Sequence, residues 1–428
     1  MLQNRRHSPM TARNRELINL VAVGVLTGLG FASVYIARQS VISAGSVSYA
    51  LIFLGLYIAA HAVARVAVPW ADPYLLPLTG LLTAIGLTEI YRLGPSDAFR
   101  QGFWIVVGVG VFAAALLLLR VDFRVLESYK YLFGISALGL LVLPALPVIG
   151  ARINGARLWV KLGPLQFQPG ELAKIALIVF LAGYLREKRE VLAQGRLKDF
   201  GPLLVIWGAA MLVLVETNDL GSALLYFGIF LAMLYIATAR VAYVALGAGL
   251  FIGGAAVAYQ SIGRVQERVD CWLHPWDDVH GACYQTVQGT YAIGNGGFGG
   301  TGLGRGTFTT TGGSNLIPYV NTDFIYSALA QELGLIGAAA VLLLYMVFAL
   351  RGFRISMLAE DGFSKLLAAG LTFAFALQAF INVGGLLRVA PLTGITLPFV
   401  SYGGSSVVAN FILLAGLLLV SNRANAPR

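Results

Sequence analysis

DLGSALLYFGIFLAMLYIATARVAYVALGAGLFIGGAAVAY, residues 219–259, is two apolar runs, 219–239 and 241–259, separated by a single arginine, Arg240. At about 1.5 Å per helical residue, each run is long enough to cross the roughly 30 Å hydrocarbon core of a bilayer. Similar runs precede it at 17–36, 47–66, 74–91, 103–119, 129–149, 171–185 and 201–216, and follow it at 323–350, 365–387 and 404–421. The chain is 58% hydrophobic and only 12% charged, where soluble domains carry roughly 25% charged residues. The pattern predicts an all-α polytopic membrane protein of about 12 transmembrane helices, with a long extracytoplasmic loop at 260–322. The runs at 171–185, 201–216 and 404–421 fall short of the roughly 20 residues that a span usually needs. Each abuts a polar motif, so their ends are expected to open onto a cavity rather than lipid.

Orientation follows from the Lys and Arg bias. With the N-terminus inside, most of the 30 Lys and Arg fall on cytoplasmic segments, and both termini are expected to be cytoplasmic. The net charge of +10 is then a topology signal, and no nucleic-acid partner is expected. Arg152, Arg157, Lys161, Lys174, Arg264, Arg268, Arg305 and Arg388 run against the bias, at or just inside the outer side. Positive charge gathered there suits an anionic ligand, or else contacts with lipid headgroups. The first apolar run is too long for a cleavable signal and lacks a small-residue cleavage site. Residues 1–16 therefore read as a cytoplasmic tail, 17–128 as N-terminal transmembrane helices and 422–428 as a second tail. No repeat at a solenoid period is evident.

The stretch RVQERVDCWLHPWDDVHGACYQTVQGTYAIGNGGFGGTGLGRGTFTTTGGSNLIPYVNTD, residues 264–323, is polar and glycine-rich inside an otherwise apolar chain. Long connections of this kind are usually functional. Its two cysteines, Cys271 and Cys283, would form a disulfide in an oxidising exterior, contributing about 3 kcal/mol, or stand as two free thiols. His274 and His280 lack zinc-type spacing. Asp277 and Asp278 follow Pro275-Trp276, so a turn displays two carboxylates. A carboxylate beside Arg268 is what a general base for a sugar hydroxyl needs; the alternative is an Asx-turn at the surface. The run YAIGNGGFGGTGLGRG lacks the strand, helix and closing Lys-Ser/Thr of a phosphate loop, so no nucleotide is expected.

Four further motifs adjoin spans. In GARLWVKLGPLQFQPGELAK, residues 155–174, Pro169 and Glu171 suit a first helical turn, and Glu171 and Lys174 share a helical face. Such a pair at the mouth of a span reads as a functional site or as a structural ion pair. In ETNDLGSA, 216–223, Asp219 suits an N-cap that could also face the cavity. In NTDFIYSALAQELG, 321–334, Asp323 suits a cap, while Glu332 lies mid-helix. Nine positions apart, the two point to opposite sides and cannot act as a pair; Glu332 is expected to hydrogen-bond another helix. RVAPLTGITLPFVSYGGSSVVAN, 388–410, has prolines and paired glycines that break a helix, and Ser401, Ser405 and Ser406 could serve its backbone or a ligand.

In order and spacing, QPGELAK, NDLGSA, PWDDVHGACYQ, AIGNGGFGGTGLG, NTDFIYSALAQELG and LPFVSYGGSS resemble the SEDS family (shape, elongation, division and sporulation proteins, the RodA, FtsW and SpoVE group). The resemblance covers about residue 129 to the end and makes 129–421 the family core. It implies a peptidoglycan glycosyltransferase of the bacterial cytoplasmic membrane that polymerises lipid II and works with a class B penicillin-binding protein, a transpeptidase. The family's essential loop aspartate falls on Asp278, its helix-start glutamate and lysine on Glu171 and Lys174, and its loop arginine on Arg268. The chain departs from the family at Gly170 (usually Ser), Asn218 (Pro), Leu158 (Arg, with Arg157 one place earlier), Val279 (Pro) and Asn321 (His). Two helices are expected beyond a ten-span family core.

On this reading Asp278 is the catalytic base. Glu171, Lys174, Arg268, Arg157, Asp219, Asp323 and Ser401 would bind substrate, and a divalent cation (Mg or Mn) could sit on Glu171 or Asp278. The elongation branch is favoured over the division branch, which has the same chemistry. A lipid II flippase or a non-catalytic scaffold are the rival functions.

Overall fold

The computed structural model describes residues 9–39, 44–147, 149–153, 156–163, 165–194, 201–217, 219–308 and 316–427. Asn218 and residues 309–315 of the long loop lie outside the described residues. Helices in chain order are α1 (Pro9–Gln39), α2 (Ala44–Ala67), α3 (Leu75–Leu93), α4 (Pro95–Leu119), α5 (Val125–Ser128), α6 (Lys130–Val142), α7 (Pro169–Ala193) and α8 (Gly201–Glu216). They continue with α9 (Leu220–Thr238), α10 (Val241–Ser261), α11 (Gly263–Leu273), α12 (Tyr284–Gly296), α13 (Ile325–Leu358), α14 (Gly362–Leu386) and α15 (Gly404–Asn425). Every one of the twelve apolar runs has become a helix. Eight helices are long and apolar enough to cross a membrane, and Lys130–Ala145 and Gly201–Glu216 are shorter apolar helices. The more polar α3 and α7 complete the bundle.

Helix lengths differ from the sequence expectation for identifiable reasons. α7 extends over 25 residues, because good helix formers such as Arg186, Glu187 and Lys188 continue the ladder beyond the apolar run, and α15 extends over 22. α6 stops after 13 residues, just before Pro144 and Pro147, which supply no amide donor. The short helices are therefore α6 and α8, and they pack on each other. α14 and α15 form the enclosed centre, with 78% of their best spanning windows buried, whereas α10 has only 6% buried. Leu246, Leu250, Ile252 and Val257 of α10 are exposed, as suits a helix whose solvent is lipid.

Two elements go beyond the sequence expectation. A three-stranded antiparallel sheet, β1 (Gly150–Ile153), β2 (Ala156–Leu162) and β3 (Leu165–Phe167) in that spatial order, leads into α7 and packs on it. The long loop holds α11 and α12, with a 3₁₀ turn at Pro275–Asp278 between them. Following the chain through alternate crossings places the sheet, α11, α12 and residues 387–403 at one end of the bundle. Residues 68–74, 120–129 and 359–361 lie at the other.

α13 breaks at Gly334, where φ is 65° and ψ −171°. A Cβ there would lie 2.3 Å from Gly300 N, and one on Gly300, itself at φ +80°, would lie 2.1 Å from the Glu332 carbonyl oxygen. Only glycine at both positions lets the loop backbone lie on the helix backbone. Glu332 is enclosed at this contact. Its carboxylate meets Arg92 Nε of α3 at 2.7 Å and accepts from the Gly304 and Gly306 amides, each at 2.8 Å. The mid-helix acid thus has a partner helix, and it anchors the glycine-rich segment.

Residues 388–403 are non-helical at bundle depth, and neighbouring side chains satisfy the freed backbone. Gln378 Nε2 donates to the Thr396 carbonyl (3.0 Å), Asn382 Nδ2 to the Ile395 carbonyl (2.7 Å) and Tyr345 OH to the Pro398 carbonyl (2.6 Å). Ser401 Oγ donates to the Thr322 carbonyl and accepts from the Leu397 amide. Irregular backbone survives inside a bundle only on such terms. Ser401→Ala strands both groups and should lower stability by about 1–3 kcal/mol, read as a fall in the thermal unfolding midpoint in detergent.

Candidate functional site

α11 carries Arg264, Glu267, Arg268 and Cys271 at helical spacing i, i+3, i+4, i+7, so one face presents all four. That face, the start of α12, Asp323-Phe324 and residues 385–394 enclose a cavity of about 220 Å³. Arg264, Arg268 and Arg388 line it, opposed by the carboxylates of Glu267 and Asp323. Arg268 Nη1 donates to the Thr393 carbonyl (3.0 Å). Burial pulls the Arg268 guanidinium below its usual range, and the like charge of Arg264 adds to the effect. An anion in the cavity would oppose both.

Asp278 does not itself line the cavity but is hydrogen-bonded to a residue that does. Exposed at the end of the 3₁₀ turn, its Oδ2 accepts from the amide of Ala282 (2.8 Å), and Ala282 lines the cavity. A Cβ on Gly281 would lie 2.3 Å from Asp278 Oδ2, so glycine there keeps the carboxylate on its own backbone. The Asx-type turn and the displayed carboxylate therefore coexist. Cys271 and Cys283 are bonded to each other, with Cα atoms 5.1 Å apart, and Trp276 packs on Tyr291 at 5.5 Å. Replacing both cysteines with serine should destabilise this loop by about 3 kcal/mol. Limited proteolysis would then cut within 263–296 in the variant before the wild type.

Glu171 and Lys174 sit in the first turns of α7. Lys174, 3% exposed, donates to Glu171 Oε2 (2.8 Å) and to Gln378 Oε1 (2.6 Å). Asp219 caps α9 by accepting from the Ser222 amide (3.0 Å), and it lies within electrostatic reach of both Glu171 and Arg268. The same field joins Arg268 to Asp323. The upstream motif and the loop thus act on one another through charge: Glu171, paired with Lys174, and Arg268 both influence Asp219.

Two candidates fall outside this group. Arg157 is exposed on β2, paired in register with Arg152, and does not line the cavity. Ser401 is occupied as the staple described above and does not line it either. Among the described residues, no group of three or more His, Cys, Asp or Glu side chains could hold a metal ion. Glu171 is ion-paired and Asp278 is engaged with Ala282. A cation here would need ligands from a substrate.

Residues 73–426 match the FtsW, RodA and SpoVE family of cell cycle proteins. The chain belongs to this family.

It is 40% identical over 438 residues to the peptidoglycan glycosyltransferase RodA of Mycobacterium tuberculosis (strain ATCC 25618 / H37Rv), covering 97% of this chain and 92% of that one. It is 35% identical over 360 residues to stage V sporulation protein E of Bacillus subtilis (strain 168), covering 82% and 96%. Among solved structures, the RodA crystal structure from Thermus thermophilus superposes with a TM-score of 0.61 at 27% identity, covering 84% of this chain and 98% of that one. A chain from a peptidoglycan synthase complex that coordinates polymerization and crosslinking superposes at 0.68, with 29% identity and 83% and 98% coverage. The family match begins at Pro73, so α1 and α2 precede it and α3 to α15 lie within it.

One departure from the family pattern keeps a polar role: Asn321 Nδ2 donates to Asp97 Oδ2 (2.8 Å), tying the start of α13 to α4. Sequence reading missed Gln378 and Asn382, which hold Lys174 and the broken segment. Their signal was present: two amides four apart on one face of an apolar span. It also missed Glu89 and Arg92, three apart in α3, beside Glu332.

Proposed function

We propose that the chain is a peptidoglycan glycosyltransferase of the RodA type that polymerises lipid II into glycan strands. The cavity end of the bundle faces outward and both termini are cytoplasmic. The observation that carries this reading is the arginine-walled cavity with the Asp278 carboxylate hydrogen-bonded to Ala282 of its lining. Glycan polymerisation needs two things in one place: a base for a sugar hydroxyl and positive charge for a departing diphosphate.

Asp278 takes the proton from the 4-hydroxyl of the acceptor lipid II sugar. The oxygen forms a bond to the anomeric carbon of the donor glycan, and the bond from that carbon to oxygen of undecaprenyl diphosphate breaks. Arg268, with Arg264 beside it, stabilises the diphosphate as charge develops. Lys174 is buried against Glu171 and Gln378, so it sets the local field and holds α7 to α14. Asp219 and Asp323 supply negative charge near Arg268, which the Thr393 carbonyl holds in place. A divalent cation, Mg or Mn, would be held by Asp278 or Glu171 and would supply positive charge for the departing diphosphate, and the donor's built-in leaving group removes any need for a nucleotide. A polyprenyl tail would enter from lipid beside the short helices α6 and α8. A class B penicillin-binding protein is the proposed partner that crosslinks the product.

The test is polymer formation from lipid II by purified protein, with and without the transpeptidase. Polymer in either condition that is lost with Asp278→Asn supports the enzyme. Lipid II crossing vesicles without polymer would make the chain a flippase, and no turnover in both conditions a scaffold.

A further inference from the structure

Arg388 of the cavity wall commits its guanidinium to the backbone at the end of α11. It follows the C-terminus of α14 and holds φ at +58°, a region that side chains other than glycine rarely occupy. Its guanidinium donates to the Trp272 carbonyl from Nη2 (2.9 Å) and Nε (3.3 Å), and Nη2 also reaches the Leu273 carbonyl (3.4 Å). In return, Trp272 Nε1 donates to the Arg388 carbonyl (2.9 Å). Trp272 and Leu273 end α11, where the last carbonyls have no partner within the helix. The clasp therefore caps α11 and fastens it to the broken segment 388–394. Trp272 is next to Cys271, whose disulfide runs to Cys283, and the 3₁₀ turn ending at Asp278 starts two residues after Leu273. An unusual backbone held by four hydrogen bonds to one helix end is costly to maintain, and strained positions of this kind gather at functional sites.

We propose that Arg388 is a positioning residue: through its clasp with Trp272 it fixes the turn that presents Asp278 over the cavity. The inference rests on Asp278 being the base. The disulfide sets the distance between the two ends of the turn, and the clasp sets where that closed turn stands relative to the arginine wall. Displacement of a catalytic group by about 1 Å is enough to cost on the order of 100-fold in rate.

Three variants assayed for polymerisation of lipid II decide it. Arg388→Gly suits the positive φ and removes the clasp. Arg388→Lys keeps the charge but lacks the planar fork that reaches two carbonyls. Trp272→Phe removes the indole donor alone. The expected result is a fall in kcat of about 10-fold or more for both Arg388 variants, a smaller fall for Trp272→Phe, and KM within about twofold of wild type. Wild-type behaviour of Arg388→Lys alongside a raised KM in Arg388→Gly would overturn the proposal, assigning Arg388 to the anionic substrate instead. Full kcat in all three variants would overturn it as well. Asp278→Asn in the same assay separates the premises: if it retains activity, the base assignment fails whatever the Arg388 variants do.

Discussion

Asp278→Asn should polymerise lipid II at least about 100-fold more slowly than wild type, the lower end of what a positioned general base contributes. The substitution is chosen because it leaves the local structure alone. The amide oxygen of asparagine can still accept from the Ala282 N–H, so the turn keeps its closing bond, the Cys271–Cys283 bridge and the Trp276–Tyr291 contact. The thermal midpoint should therefore match wild type while product disappears from the gel. Alanine would be a poorer probe, because it also removes the acceptor. Asp277→Asn is the matched control: that side chain is exposed, and the bond to Ala282 of the cavity lining belongs to Asp278, so its rate should stay within about twofold. Near-normal turnover by Asp278→Asn would move the base to Glu267 or Asp323, the two carboxylates on the cavity wall.

Much of this site was legible in the sequence, and the reasons are specific. Glu171 and Lys174 announce themselves because charge at the mouth of an apolar run has few bland explanations, and their three-residue spacing fixes a shared face. Cys271 and Cys283 stand out as the only two cysteines of the chain, on either side of Asp278. What stayed hidden depends on contacts between segments far apart. Ser401 reads equally well as ligand or staple until Thr322, 79 positions away, is seen beside it. Arg157 carries the right charge in the right motif, yet strand pairing with β1 turns that motif into a sheet and leaves the arginine exposed. Periodicity could not announce the sheet, because its strands are three to seven residues long and lie among turns. The helices within the loop escaped for the opposite reason: glycine and proline content suggests irregular backbone, but α11 has a clear amphipathic face and α12 is held by packing on α13.

The largest stability effect is expected deep in the bundle, at Arg92. Glu89, Arg92 and Glu332 have side chains that are 3% exposed or less, and the guanidinium stands between the two carboxylates, at 3.4 Å from Glu89 and 2.7 Å from Glu332. Charge counting orders the three substitutions. Arg92→Leu leaves two buried carboxylates with no cation, and removing one partner of a buried ion pair costs about 3–5 kcal/mol. Glu332→Gln leaves Arg92 with Glu89, a neutral pair, but its single amide oxygen replaces a carboxylate that accepts from both Gly304 and Gly306; about 1–2 kcal/mol is expected. Glu89→Gln should be neutral or stabilising. One oxygen of Glu89 has no hydrogen-bond partner, and without its charge the Arg92–Glu332 pair is balanced. Unfolding midpoints in detergent should therefore fall most for Arg92→Leu, less for Glu332→Gln and not at all for Glu89→Gln. Equal losses at Glu89 and Arg92 would mean that both carboxylates are needed and that the charge count is wrong. Activity should follow the same order, because the amides that Glu332 holds belong to the glycine-rich segment between α12 and α13, and α12 begins one residue after the disulfide that closes the Asp278 turn.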